Sequence, residues 1–233
     1  MKILRLHLAS LRAAAGSGDT EWPVHGFVLL HEKAGPILVD TGVGGPEAWL
    51  RDWRAVNRSV AEALAEHDLS PADIRIVVNT HLHFDHCGQN SVFRHAPFYV
   101  QRAEVERARR ESRDLIDWFD FAGARFELLD GDAEIAEGVR AVATPGHTVG
   151  HQSVVISEAG EDVLIGDAAY NLGLYRHPER EELPSGQAVD RAAWEASLRR
   201  LHEMDPERVH FCHDTRVHTG PAPGASGSRQ VRT

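Results

Sequence analysis

Between positions 80 and 86 the chain reads Thr-His-Leu-His-Phe-Asp-His, which sets four metal-binding side chains, His81, His83, Asp85 and His86, within six residues. Imidazole nitrogens and carboxylate oxygens are donors suited to a borderline divalent cation. Packed this closely, the four cannot all reach one ion without strain, so the spacing predicts a pair of ions. Two cations sharing a hydroxide would lower the pKa of that water towards neutrality, which gives a hydrolytic nucleophile without a serine or cysteine.

Further donors stand downstream. In Thr144-Pro145-Gly146-His147 a histidine follows a strand in a turn whose direction proline and glycine restrict. With His81 and His83 it would complete a three-imidazole face for an ion such as zinc, leaving a position open to water. Asp167 follows the apolar run Val163 to Gly166 and could bridge two ions through its two oxygens, and His213 closes Phe211-Cys212-His213. Asp85, His86 and His213, with Asp167 shared, would make a second site of mixed oxygen and nitrogen donors.

Such a constellation needs strands that end where the ligands begin. The runs at 26–31 and 36–40, separated by Glu32-Lys33-Ala34-Gly35, predict a hairpin. Residues 59–67 have helical spacing, and Ser70-Pro71 resembles an N-cap with proline behind it. The β-branched run 74–79 predicts the strand that delivers the histidine cluster. A short strand near 98–100 and a charged helix over 103–114 follow; the segment 112–124 carries no clear period. Strands are predicted at 141–143, 153–156, 162–165 and 208–212, with a helix placing Trp194, Leu198 and Leu201 on one face. The sum is a mixed α and β domain with ligands at strand ends.

Composition bounds the rest. The 233 residues, 42% hydrophobic, suit one domain with a sizeable core, assigned to 1–218, and the Gly, Pro and Ser-rich stretch within 219–233 predicts a flexible tail. No apolar run approaches the ~20 residues that cross a bilayer, and charges stand too early for a secretory leader, so a cytoplasmic, non-membrane protein is expected. With 25 basic and 35 acidic residues and a net charge of −10, nucleic acid is a poor partner. Cys87 and Cys212 read as small buried thiols beside the site rather than a disulfide framework. The nine histidines at 7, 25, 31, 67, 95, 177, 202, 210 and 218 read as surface or core residues.

The pattern His81-Leu82-His83-Phe84-Asp85-His86, followed in order by His147, Asp167 and His213, resembles the HxHxDH signature of the metallo-β-lactamase superfamily over essentially the whole domain. That resemblance implies an αββα sandwich, an α+β fold with two mixed β-sheets flanked by helices and a dinuclear site at one sheet edge. It implies two divalent ions, zinc first, with iron, manganese or cobalt as alternatives. Asp40-Thr41-Gly42 matches the superfamily's early strand-end motif, where the aspartate supports the ligands from behind; His151 is similarly placed as support rather than ligand.

Within the superfamily the chain is most similar to the N-acyl homoserine lactonases, through Phe84 between the ligand pairs, the form of TPGHTVGHQS at 144–153, and the tyrosine of Asp167-Ala168-Ala169-Tyr170. The likeness implies that the Tyr170 hydroxyl faces the substrate carbonyl; Phe84 is expected to contact substrate, and the mechanism expected of such a site has Asp85 pass a proton to the departing alkoxide. A small-molecule lactone or ester is the expected substrate, with monomer and homodimer both open. A thioesterase or carboxylesterase of the glyoxalase II kind is the alternative, although that kind normally brings a further C-terminal helical domain.

Overall fold

The computed structural model describes residues 1–12, 21–158, 160–179 and 186–220. The segment 13–20 and the expected flexible tail from 221 onward lie outside the described residues.

Strands β1 (Lys2–Arg12), β2 (Glu21–His31), β3 (Gly35–Val39), β4 (Val56–Asn57), β5 (Ile76–Val78), β6 (Phe98–Gln101) and β7 (Phe126–Leu129) form one mixed sheet in the order β4-β1-β2-β3-β5-β6-β7. Strands β8 (Ala133–Ala136), β9 (Val139–Ala143), β10 (Gln152–Ser157), β11 (Glu161–Leu164), β12 (Arg208–His210) and β13 (Val217–Thr219) form a second, in the order β13-β12-β11-β10-β9-β8. The first is parallel from β3 through β7, and the second is antiparallel except between β11 and β12. The helices are α1 (Glu47–Asp52), α2 (Val60–Ala65), α3 (Arg102–Glu111), α4 (Ile116–Phe119), α5 (Leu172–Arg176) and α6 (Arg191–Glu203).

Strand alternation sorts the apolar side chains into layers. Phe27 and Leu29 of β2 pack between the sheets against Val154 and Ile156 of β10, whereas Val28 turns outward to meet Val60 and Leu64 of α2. On the far face Val155 of β10 and Val163 of β11 pack against Trp194, Leu198 and Leu201 of α6. These layers are the αββα sandwich.

The predicted hairpin exists, and the sheet begins earlier than expected with β1, whose Leu4, Leu6 and Leu8 are buried at period two. The helix expected over 103–114 stops at Glu111; a 3-10 turn at Arg113–Leu115 and α4 fill the ambiguous segment and bury Leu115 and Phe119. Ser70 and Pro71 open a 3-10 turn, Pro71–Asp73, which shortens the following strand to 76–78. The last described strand, β13, ends at Thr219. Among the described residues no helix is long and apolar enough to cross a membrane.

Candidate metal centre

Every candidate ligand leaves the end of a strand. His81, His83, Asp85 and His86 follow β5, His147 lies in the turn between β9 and β10, Asp167 sits in a 3-10 turn after β11, and His213 follows β12. The loop after β5 is clamped to the loop after β3 by backbone bonds: Thr41 N–H donates to His86 O at 2.7 Å, Gly44 N–H to Phe84 O at 2.9 Å and Gly88 N–H to Gly42 O at 2.9 Å. The approach demands glycine, because a Cβ on Gly44 would stand 2.1 Å from Gly88 O.

Three ring nitrogens meet at one point. His81 Nε2 is 3.0 Å from His83 Nδ1, and His147 Nε2 is 3.2 Å from His81 Nε2 and 3.1 Å from His83 Nδ1. The far sides of the rings decide which nitrogens carry protons. His147 Nδ1 faces the carbonyl oxygen of Gln187 at 3.1 Å and must donate to it, leaving Nε2 bare. Thr80 Oγ1 gives its proton to Asp40 Oδ2 at 2.7 Å, so at 3.1 Å it can only accept from His81 Nδ1, which leaves His81 Nε2 bare as well. Converging lone pairs at these distances fit a cation at their centre.

The second set repeats the pattern. His86 Nδ1 donates to Asp40 Oδ2 at 2.8 Å and His213 Nδ1 to the carbonyl of Pro23 at 2.9 Å. That carbonyl is available because β3 pairs with β2 only from Phe27 onward. The Nε2 atoms turn to carboxylates: His86 Nε2 is 3.7 Å from Asp85 Oδ2, and His213 Nε2 is 3.6 Å from the same oxygen and 3.3 Å from Asp167 Oδ1. Asp167 reaches the first set through Oδ2, 3.3 Å from His147 Nε2 and 3.7 Å from His81 Nε2. His86 Nε2 and Asp167 Oδ1 are buried with no hydrogen-bond partner among the described residues. Ligand atoms within each of the groups His81/His83/His147, His81/His86/Asp167 and Asp85/His86/His213 lie within 4.8 Å of one another. Orphaned polar atoms, bare imidazoles and facing carboxylates are a donor set for two divalent cations.

The electrostatics agree. Burial, aided by the neighbouring imidazoles, holds His81 and His83 well below the usual histidine range. Burial opposes charge on His86 and His213 too, but Asp167 and Asp85 outweigh it and raise both, so without a cation each Nε2 holds a proton towards those carboxylates, and a cation bound there would displace it. Asp167 titrates well below an ordinary carboxylate: burial works against its charge, and His86, His213 and His147 override it.

The supporting residues also converge. Asp40 stands in the left-handed region at φ 59°, which aspartate tolerates, and so aims its carboxylate at both Thr80 and His86. His151 Nε2 accepts from the backbone N–H of Asp167 at 2.9 Å, and burial keeps it neutral with a pKa of about 3. Cys87 and Cys212 are buried free thiols; burial pushes Cys212 up to about 12. Gln187 was not foreseen: its carbonyl orients His147 and its amide donates to Asp167 O at 2.6 Å, yet it stands 40 residues from one and 20 from the other.

A cavity of about 320 Å³ opens on the cluster. Its floor includes His83, Asp85, His147, Asp167 and His213, and Tyr170 lies over them with its ring 5.7 Å from that of His147 and 5.4 Å from that of His213. Burial, then Asp167 and Asp85, raise the Tyr170 hydroxyl far above its ordinary pKa, so it stays a proton donor. From Tyr170 an aromatic wall runs outward: Trp22 at 5.9 Å, Trp53 at 6.4 Å from Trp22, Phe84 at 5.7 Å from Trp53, and Trp49 at 6.1 Å from Phe84. No lysine or arginine stands among the described residues that line the cavity.

The profile of the metallo-beta-lactamase superfamily matches residues 20–213. The chain belongs to that superfamily. This metallo-beta-lactamase superfamily protein is 32% identical to an N-acyl homoserine lactonase of a Bacillus species, with 82% of each chain covered. It is 30% identical to the N-acyl homoserine lactonase AttM of Azorhizobium caulinodans, over 91% of this chain and 89% of that one. Among solved structures it resembles a variant of AiiA from Bacillus thuringiensis with N-decanoyl-L-homoserine bound at the active site, at a TM-score of 0.77, 26% identity and coverage of 92% and 93%.

Proposed function

We propose that the protein hydrolyses N-acyl homoserine lactones, with residues 1–218 as the catalytic domain. In this assignment His81, His83 and His147 hold one cation, Asp85, His86 and His213 hold another, and Asp167 serves both. Zinc suits a set of neutral imidazoles and carboxylates better than a hard, all-oxygen-seeking ion. When bound, the cations supply an acidified water as nucleophile and Lewis-acid pull on the lactone carbonyl.

The chain's own groups do the rest. Tyr170, held protonated, donates a hydrogen bond to the carbonyl oxygen as negative charge gathers there. As the new carbon–oxygen bond forms, Asp85 would take the proton left on the attacking oxygen, and as the ring carbon–oxygen bond breaks it would pass that proton to the departing alkoxide. The product is an N-acyl homoserine, and one proton is released at neutral pH. Phe84, Trp22, Trp49 and Trp53 seat the acyl arm by excluding water from it.

The observation that carries this assignment is that Tyr170 and the aromatic wall share one cavity with the ligand cluster. A glutathione or coenzyme A thioester would bring carboxylates or phosphates, and the described lining offers them no cationic side chain. The test is proton release in a pH-stat with zinc-loaded enzyme. N-butanoyl and N-decanoyl homoserine lactones should be turned over, and S-lactoylglutathione should not; the opposite preference would transfer the protein to the thioesterases.

A further inference from the structure

Glu104 is fully buried, lies outside the cavity lining and takes no part in the chemistry above. A carboxylate in such a place is costly unless its partners compensate it. Its Oε1 accepts the backbone N–H of Leu82 at 2.9 Å, and Leu82 is the residue between His81 and His83. The same carboxylate takes Arg107 on both oxygens, Nη2 to Oε1 at 2.6 Å and Nε to Oε2 at 3.3 Å. The loop that carries His147 rests on Glu104 from the other side: a Cβ on Gly150 would stand 2.3 Å from Glu104 N and 2.6 Å from its Cα. One residue in the first turn of α3 therefore touches both loops that build the three-imidazole face.

We infer that Glu104 is a positioning residue that holds His81 and His83 in register with His147 and so sets the affinity of that cation alone. The inference rests on the assignment of His81, His83 and His147 as a cation site. Arg107 fixes the carboxylate's direction, so that its lone pair meets a backbone N–H that has no strand partner in the loop after β5. Contacts one layer behind metal ligands typically govern affinity by ~10–100-fold. In the second group Asp40 holds His86 Nδ1 and the Pro23 carbonyl holds His213 Nδ1; Asp40 also reaches His81 through Thr80, so the contact that sets the first face apart is the one from Glu104 to Leu82.

The test is stepwise zinc affinity by chelator competition on the folded protein, with each step assigned through the parallel variants H147A and H213A. In the double variant Glu104→Met with Arg107→Met the buried charges go together, and the thermal midpoint should stay near that of the wild type. The Leu82 N–H is then unpaired, and the three-imidazole cation should bind ~10–100-fold more weakly while the other is retained. Glu104→Gln keeps an Oε1 acceptor for that N–H, so it should keep the affinity even though it melts lower for want of the buried charge opposite Arg107, whose remaining ion pair is the longer one to Glu111 at 3.9 Å. Gly150→Ala pushes the His147 loop off α3 and should weaken the same cation. If the double variant does not fold, the contrast is read between Glu104→Gln, which retains the affinity, and Gly150→Ala, which loses it. Parallel weakening of both cations, loss in Glu104→Gln equal to that in Gly150→Ala, or a folded double variant with unchanged affinities would overturn the role. A wild type that binds no cation at these histidines would overturn the site assignment itself, whereas two cations in the wild type with unaltered variants would remove only the role of Glu104.

Discussion

Asp40 Oδ2 accepts the Nδ1 proton of His86 at 2.8 Å, and this bond fixes which nitrogen of His86 faces Asp167. In Asp40→Asn the amide can turn its NH2 towards the ring, reverse the tautomer and withdraw the Nε2 lone pair. Zinc affinity of the Asp85, His86 and His213 group should fall by ~10–100-fold, as measured by chelator competition. Unchanged affinity would show that His86 is oriented by its loop alone.

Tyr170→Phe removes one donor without removing a ligand. The expected result is a fall in kcat of ~10²-fold or more with the zinc content of the wild type, read by steady-state kinetics and metal quantitation on the same sample. Lost zinc would make the tyrosine a structural element of the centre.

Trp53 links Trp22 to Phe84 in the aromatic wall. Trp53→Ala should raise KM for N-decanoyl homoserine lactone by roughly 10-fold, within the range that apolar pocket contacts discriminate, and change KM for the N-butanoyl substrate much less. Equal effects on both would place the acyl arm elsewhere.

Removing the cations leaves imidazoles and carboxylates buried together with only protons between them. The stripped protein should be inactive and melt lower, and added zinc should restore both in proportion to its concentration, because a ligand that binds only the folded state stabilises it by mass action. A chelated sample that stays active would refute the metal chemistry.

Two histidines outside the ligand set, the buried His25 and the half-buried His210, predict an acid limit to stability. Burial, then the nearby Arg5, lowers His25 to about 4, and burial lowers His210 to about 4 against the opposing pull of Asp162. Their folded pKa values lie below the unfolded value of 6.5, so between pH 6.5 and 4 the unfolded chain binds protons that the folded chain refuses. Stability is therefore whole above 6.5 and declines as pH falls through this window, by at most about 3 kcal/mol per histidine. Urea unfolding of the zinc-loaded protein at several pH values, compared with His25→Leu and His210→Leu, should show a shallower decline in each variant. Parallel curves would mean that neither ring stays neutral on folding.

Much of this was legible in the chain. Ligand types, their order and the apolar runs before them give the strand-end cluster, since β-branched runs such as Ile76 to Val78 can hardly form anything but buried strands. What escaped was whatever depends on distance in sequence rather than on local pattern. Gln187 and the Pro23 carbonyl become partners of His147 and His213 only through the fold. Glu104 sits in the charged helix RAEVERARRE, where nothing local separates one buried acid from its exposed neighbours. The tryptophans of the wall come from β2, α1 and the turn after it, so no motif announces them. The 3-10 turns at 71–73 and 113–115 escaped because capping residues mark where a turn starts and not how tightly it winds.

Three of the chain's five tryptophans stand along that wall. An acyl arm that displaces water from their indole faces changes the polarity those rings sense, so the intrinsic fluorescence of the unlabelled protein becomes a readout of occupancy. In a variant slowed at Tyr170, the arrival of substrate and its conversion could then be timed separately in a stopped-flow cell.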